Sequence, residues 1–517
     1  MSEKRREKEL TRRSFMKGAT VGAGAMALTA GNMTDAIAAT PRQKWDKEAD
    51  VIVIGFGGTG AAAAIVAHDA GAKVLVIEKT LIAGGNTSLS GGIVYAAAST
   101  LQKAAGITDS PEGMYKYWMA NNDDLLDPEL LRVTSEDSAD VVRWLMSLGV
   151  EFTPEPYFSG LEEQYASVTP PIKRGHLVKG RGGALMKVLV RAVADRKIEV
   201  MYETPAERLI VNPAGEVIGV MAKGKRGKIY LKANRAVVLA SGGFARNKNL
   251  VKSYFPTQIR AVPVVALGLT GDGLLMAEKI GSPIVNTGTV ELPPSLPALE
   301  ITPEEKALMF SSAYFLYKYP IIFVNQSGKR FCDESGYYQA LSPLVLKQKA
   351  AFVIFDDKVK KAAGGSIGYG FSQDLKDEIE KGYLKTAPTI AELAKIIGVD
   401  PGELAETVAR FNGYSKTGAD TEYGRKKALG VIETPPFYAG KITAAVVESF
   451  GGVWFNTRAQ VLDSYGEPIP RLYAGGAVTA CLRAYPGSGA FLINCFVFGR
   501  IAGKNAAGEK PVGGKKG

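Results

Sequence analysis

Residues 483–489 read RAYPGSG, and the apolar run AFLINCFVFG follows at once. Gly, Pro and Ser favour a tight turn, and a helix start carries unpaired N–H donors and positive partial charge. The stretch reads in two ways: a socket for a carbonyl oxygen with Tyr485 as a second donor, or a loop that caps a core helix. A second chemical signal lies near the other end of the chain, in ADVIVIGFGGTGAAAAIVAHDAGAKVLVIEK. A β-branched run, Val51–Ile54, meets Gly55, Gly57 and Gly60 in G-x-G-x-x-G spacing. An alanine-rich helical stretch follows, then a second strand-like run, Val74–Ile77, that ends at Glu78. Such glycines permit a tight turn and close approach of backbone to a pyrophosphate, and the acidic residue can accept from ribose hydroxyls.

The next glycine cluster narrows the ligand. AGGNTSLSGGIVY, Ala83 to Tyr95, follows the second strand directly. A second run of backbone donors and small hydroxyls suits FAD, whose extended body needs support well past the pyrophosphate. His68 falls inside the alanine-rich helix and reads as structural.

These elements belong to a chain of 517 residues, 46% hydrophobic, with 59 glycines. That length predicts two domains with many tight turns. Only two histidines and three cysteines occur, and no cysteine pair has CxxC or haem-attachment spacing. No metal site is expected, and no disulfide framework.

The first 38 residues read as a leader. TRRSFMKG is followed by a weakly apolar stretch and by AIAA. The paired Arg12 and Arg13 resemble the twin-arginine export signal, which implies a periplasmic destination. Seven Lys/Arg and four Asp/Glu up to Ala38 leave about +8 of the chain's +11 for the remainder. No basic cluster is interleaved with aromatics, so nucleic acid is not an expected partner. No later apolar stretch is long enough to span a membrane. The tail, residues 509–517, reads as disordered.

Further glycine turns follow: AVVLASGGFARN (Ala236–Asn247), GLTGDG (Gly268–Gly273) and RLYAGGAVTA (Arg471–Ala480). Each alone is ordinary. In this order they resemble the fumarate reductase/succinate dehydrogenase flavoprotein superfamily, whose relatives include the 3-ketosteroid Δ1-dehydrogenases. The resemblance spans about residues 48–508. It implies an α/β fold: a Rossmann-like FAD-binding domain in two segments, 48–278 and 444–508, with an inserted α+β capping domain at 279–443. It implies cofactor contacts at Gly55, Gly57, Gly58, Gly60, Glu78 and Lys79, and at Gly85, Asn86, Thr87, Ser90, Gly91 and Gly92. Ala206, Gly242, Asp272, Ala477, Ala490 and Leu492 complete that set, with Asp272 toward the flavin or its ribityl chain. FAD is expected to be noncovalent, because GGNTSLSGG lacks the histidine of covalently flavinylated relatives.

Within the superfamily the fumarate pattern is broken at four places. Tyr338 stands four residues after Glu334, where fumarate reductases resembling this chain carry the proton-donating arginine. Tyr485 stands where they carry a substrate-clamping arginine. ALGLTGDG and VESFGGV lack the two dicarboxylate-binding histidines. The same positions resemble the ketosteroid dehydrogenases: Asn325, Ser327, Gly328, Arg330, Phe331, Glu334, Ser335 and Tyr338 in one segment, and Tyr485, Pro486, Gly487, Ser488 and Gly489 in another. That resemblance implies an enzyme that makes or reduces a C=C bond beside a carbonyl. Tyr485 and the Gly489 N–H would hold the carbonyl oxygen, and Tyr338 would move the α proton. Tyr157 and Tyr165 are candidates to assist it, and Tyr337 leaves a one-residue ambiguity.

Arg483, Arg174, Lys179 and Arg181 read either as solvated charges or as cleft cations. In the second case the expected substrate is an unsaturated acid rather than an enone or ketosteroid. A third reading is a flavoprotein electron carrier without small-molecule turnover. With no haem motif in the chain, a separate quinone or cytochrome is the expected electron partner.

Overall fold

The structure, a computed structural model, describes residues 37–38, 44–158, 162–287, 290–291, 294–296, 319–336, 338–362, 375–483 and 487–512. The β-branched run found in the sequence forms the strand Lys47–Ile54, at the centre of a nine-stranded sheet. Val51, Ile52 and Val53 are fully buried, as are Val76, Val237 and Val238. Near-continuous apolar strands of this kind belong to a parallel sheet covered on both faces.

Five parallel strands finish in one row. Ile54 is in register with Ile77 and Leu239, Ile77 with Met201, and Leu239 with Ala474. The last of these strands, Pro468–Ala474, comes from the far end of the chain, so two separated segments build one sheet. This is the α/β architecture expected from the sequence. Beyond the parallel strands lie Ala206–Val211 and Val217–Gly224, both antiparallel. Ile37–Ala38, the end of the expected leader, pairs in parallel with Ile210–Val211.

One face of the sheet is covered by the helices Gly58–Asp69 and Ala490–Gly508. They approach closely because both are lined with small residues. A Cβ at Gly503 would lie 2.3 Å from the Ala63 carbonyl oxygen, and one at Gly499 2.8 Å from that of Thr59. The helix Gly58–Asp69 is apolar nearly all round, the signature of a buried helix rather than a surface one. Among the described residues no helix is long and apolar enough to cross a membrane.

A second, six-stranded sheet is centred on Phe437–Val446 and Ala351–Asp356, which pair antiparallel. Its strands include Val262–Pro263 and run to Val446, so it reaches beyond the 279–443 segment on both sides. The segment that leads from Val262–Pro263 to the rest of this sheet lies beside the segment that leaves the sheet after Val446. Ile284–Val285 pairs with Gly452–Val453, and Val290–Glu291 with Glu448–Ser449, both antiparallel.

The NQSGKRFCDES segment builds a turn and a buried ion network. Asn325 Oδ1 accepts from the N–H groups of Ser327 and Lys329, and Gly328 takes φ +79°, which favours glycine. Arg330 then turns inward. Its Nε and Nη2 reach Glu334 at 2.9 and 2.8 Å, and Nη2 also reaches Asp420 at 2.9 Å. Glu334 further accepts from Arg425 at 3.1 Å and from the Phe323 N–H at 3.0 Å. The side chains of Arg330, Glu334 and Arg425 are fully buried. Four residues after Glu334 the helix Tyr338–Lys347 begins.

Candidate active site

The row of strand ends opens a cavity at the carboxyl edge of the parallel sheet, the usual ligand position in open α/β sheets. Each strand that ends there supplies the wall with the residues that follow it. Gly55 follows Ile54, Glu78 follows Ile77, Thr204 lies beyond Met201, Ala240 follows Leu239, and Ala477 lies beyond Ala474. Of the cofactor contacts expected from the sequence, the lining includes Gly55, Gly57, Gly58, Glu78, Lys79, Gly85, Asn86, Thr87, Ala206, Gly242, Asp272 and Ala477.

The three signature glycines have different jobs. Gly55 has φ +103°, and a Cβ there would sit 2.5 Å from the Ala240 carbonyl oxygen. A Cβ at Gly60 would sit 1.9 Å from the Gly55 carbonyl oxygen, so this glycine closes the turn and lies outside the lining. Gly57 and Gly85, both in the lining, are less crowded. Their nearest neighbours to an added Cβ are 3.6 Å and 3.8 Å away.

Ser90, Gly91 and Gly92 also lie outside the lining. Their loop packs on the helix Arg181–Asp195: a Cβ at Gly92 would be 2.5 Å from the Arg181 backbone, and one at Gly182 2.1 Å from the Thr87 carbonyl oxygen. Ala490 and Leu492 are buried on their helix, likewise outside the lining. Gly489 is the N-cap of that helix at φ +100°. It is pressed against the strand Ile93–Tyr95, where a Cβ would lie 2.9 Å from the Ile93 carbonyl oxygen. Tyr485 and Pro486 fall outside the described residues, as does Tyr337. Tyr338 contributes the first backbone position of its helix, and its side chain is outside the described set.

The polar wall is already organised. Glu78 Oε2 accepts from the Phe56 N–H at 2.8 Å, and Oε1 accepts from the N–H and hydroxyl of Thr80, each at 2.8 Å. Lys79 Nζ donates to Asp272 at 2.6 Å and to Thr270 Oγ1 at 2.5 Å. The Gly58 N–H donates to Thr87 Oγ1 at 3.1 Å.

Asn86 ties the first segment to the returning chain. Its Nδ2 donates to the Val447 carbonyl and to Glu448 Oε2, both at 3.0 Å, while its Oδ1 accepts from the Ala266 N–H at 2.9 Å. Glu448 also accepts from its neighbour's N–H, Ser449, at 3.1 Å. Burial pushes its carboxyl up to about 7, against the lowering effect of those two donors. Burial likewise raises Cys495, which lines the same cavity, to about 11.

Phe56, Thr204, Ser241, Glu448 and Cys495 line the cavity without having been singled out in the sequence. For Glu448 a signal existed: a lone charge inside the apolar run ITAAVVESFGGV.

The expected cleft cations separate. Arg174 is fully buried and bidentate to Asp109 at 2.7 and 2.8 Å, so it is neither a solvated charge nor a cleft cation. Lys179 is exposed and pairs with Glu151 at 3.2 Å, and Arg483 is exposed. Tyr157 is held to Gly175 by backbone hydrogen bonds, and Tyr165 packs edge-on against Tyr117.

The lining fits FAD on two observations. The hydroxyl oxygen of Ser241 is buried at the wall with no partner among the described residues. Gly57 and Gly85 present bare backbone in the lining, with no atom nearer than 3.6 Å to a Cβ added at either.

Residues 50–492 match the FAD binding domain family. The chain is 33% identical over 465 residues to the fumarate reductase (cytochrome) of Shewanella frigidimarina, covering 89% of this chain and 77% of that protein. It superimposes on the open conformation of a flavocytochrome c3 fumarate reductase with a TM-score of 0.78 at 28% identity, over 98% of this chain and 83% of the other. The 3-ketosteroid-Δ4-(5α)-dehydrogenase of Rhodococcus jostii RHA1 gives a TM-score of 0.70, also at 28% identity, over 91% and 99%. The chain belongs to the fumarate reductase/succinate dehydrogenase flavoprotein superfamily and is an FAD-dependent oxidoreductase acting on CH–CH bonds.

Proposed function

We propose that the protein introduces or reduces a C=C bond next to a carbonyl group, in the manner of a 3-ketosteroid Δ1-dehydrogenase. What supports this reading is the sequence position of two tyrosines next to two firmly built elements. Tyr338 opens a helix whose approach is fixed by the buried Arg330–Glu334–Arg425 network. Tyr485 stands four residues before Gly489, whose backbone is pinned against Ile93–Tyr95 at the head of a buried helix. FAD, when bound, supplies the hydride acceptor or donor. The Tyr485 hydroxyl and the Gly489 N–H hold the carbonyl oxygen while it gains negative charge. Tyr338 takes the α proton in one direction and returns it in the other.

A second reading, an ene-reductase of an unsaturated carboxylate other than fumarate, is favoured by the 33% identity to a fumarate reductase and by the exposed Arg483. The electron carrier without turnover keeps no specific observation in its favour. The second sheet is taken as the cap over the cavity, and an external quinone or cytochrome as the electron partner.

Anaerobic titration of the bound flavin decides between the enzyme readings. Bleaching by a saturated ketosteroid supports the dehydrogenase. Reoxidation of reduced flavin by an unsaturated acid, with no response to ketones, replaces it by the second reading. Denaturation should release free FAD, since attachment is taken as noncovalent. Export by the twin-arginine route predicts that Arg12→Lys with Arg13→Lys leaves an unprocessed precursor in the cytoplasm, and periplasmic delivery of that double variant would exclude it.

A further inference from the structure

We infer that Glu448 is the proton-exchanging group of the flavin cavity, binding one proton from solvent when the FAD held there gains two electrons and releasing it when they leave. The inference rests on the assignment of the cavity to FAD.

Three carboxylates line the cavity: Glu78, Asp272 and Glu448. Glu78 is committed to three donors at 2.8 Å, and Asp272 carries a direct ion pair with Lys79. Glu448 differs from both. Its two donors, the Asn86 amide and the Ser449 N–H, are neutral, and only 6% of the residue is exposed. The backbone also closes in on it, since a Cβ at Gly243 would lie 2.5 Å from Glu448 Oε1. A carboxyl group held this way gains little from solvent or counter-charge when it ionises.

The other titratable groups around it do not supply that counter-charge. Cys495, on the helix Ala490–Gly508, is raised to about 11 and stays neutral through the working range. Lys79 is taken by Asp272 and Thr270.

Electrons arriving in this cavity bring negative charge, and a neighbouring carboxylate opposes them while a neutral carboxyl does not. Reduction therefore raises the proton affinity of Glu448. The balance is simple: an external reductant such as dithionite gives two electrons to FAD, an O–H bond of a solvent hydronium breaks to leave water, and its proton forms one O–H bond on a Glu448 carboxylate oxygen. Neutral pH is where this exchange has consequences, because burial already holds the group near 7.

The test is the midpoint potential of the FAD-loaded protein, measured from pH 5.5 to 8.5 against a reference dye. One extra proton per two electrons changes the equilibrium tenfold per pH unit, or about 30 mV per pH unit of added slope. The wild-type protein should show that steeper segment around neutral pH, and Glu448→Gln should lose it. Glu448→Asp, which keeps a carboxyl, should keep the segment at a displaced pH. Identical slopes in the wild type and Glu448→Gln overturn the inference. If Glu448→Gln does not retain FAD, the aspartate variant decides: an undisplaced break excludes Glu448. A wild-type protein that holds no FAD would instead remove the cavity assignment, whatever Glu448 does.

Discussion

Glu334 and Glu448 are both buried glutamates, one beneath the second sheet and one in the wall of the cavity, and their surroundings are opposite. Glu334 meets two guanidinium groups and a backbone N–H, in a network that also takes in Asp420. Glu448 meets a side-chain amide and a backbone N–H. A fully paired buried charge is a strut that is costly to break. A buried carboxyl with neutral partners is the group that can change its protonation within the folded state. The chain thus keeps a fully paired carboxylate four residues before the helix that begins at Tyr338 and one with neutral partners in the wall of the cavity.

Breaking the strut should have the largest effect. Glu334→Gln leaves Arg330 and Arg425 buried without their shared carboxylate, and losing one partner of a buried ion pair costs about 3–5 kcal/mol. Urea denaturation should show a markedly lower midpoint. An unchanged midpoint would mean that the network tolerates a neutral centre, and the contrast with Glu448 would then collapse.

The tyrosines come next. Tyr485→Phe and Tyr338→Phe remove one hydroxyl each and little volume, so FAD should stay bound and the denaturation midpoint should hardly move. Turnover should fall by about 10²–10³ for Tyr485→Phe, the usual effect of deleting one oxyanion donor. Tyr338→Phe should be at least as damaging, since it removes the proton-transfer group. Reduction by dithionite should survive in both. If Arg483→Ala abolishes turnover while Tyr485→Phe spares it, the carboxylate reading takes over.

The same contrast explains what could be read from the sequence. Gly55, Gly57 and Glu78 were legible because their demands are local: a positive φ, a tight approach and an acid at the end of the next strand. Local reading was incomplete where the partner is distant. Gly60 and Gly92, expected as cofactor contacts, each also accommodate another stretch of backbone, a role that their own neighbourhood in the sequence does not show. Arg174 looked like a possible cleft cation until Asp109, 65 residues earlier, took it into the core. The Arg330–Glu334 spacing was recognised as a pattern, but its meaning depends on Asp420 and Arg425, about 90 residues on. Glu448 was invisible as chemistry because Asn86, which defines its setting, lies 362 residues away.

The smallest effect expected is the one most specific to Glu448. Its folded-state carboxyl sits near 7, whereas an unfolded glutamate titrates near 4.3. Between those values the folded protein holds a proton that the unfolded chain has lost. Stability should therefore fall as pH rises from about 4.5 to 7 and level off above that. At about 1.4 kcal/mol per pH unit, this one group removes at most about 4 kcal/mol across the whole window. Other groups add their own pH dependence, so the informative quantity is the difference between the wild type and Glu448→Gln. Glutamine cannot ionise, and its amide leaves one of the two N–H donors facing it without an acceptor, an offset that is the same at every pH. Chemical denaturation of both proteins at pH 5 and pH 8 separates the two contributions. The variant should gain on the wild type by roughly 2–3 kcal/mol between those points. A gap that stays constant would mean that Glu448 is ionised throughout, and its neutral surroundings would then leave its proton binding as it is in the unfolded chain.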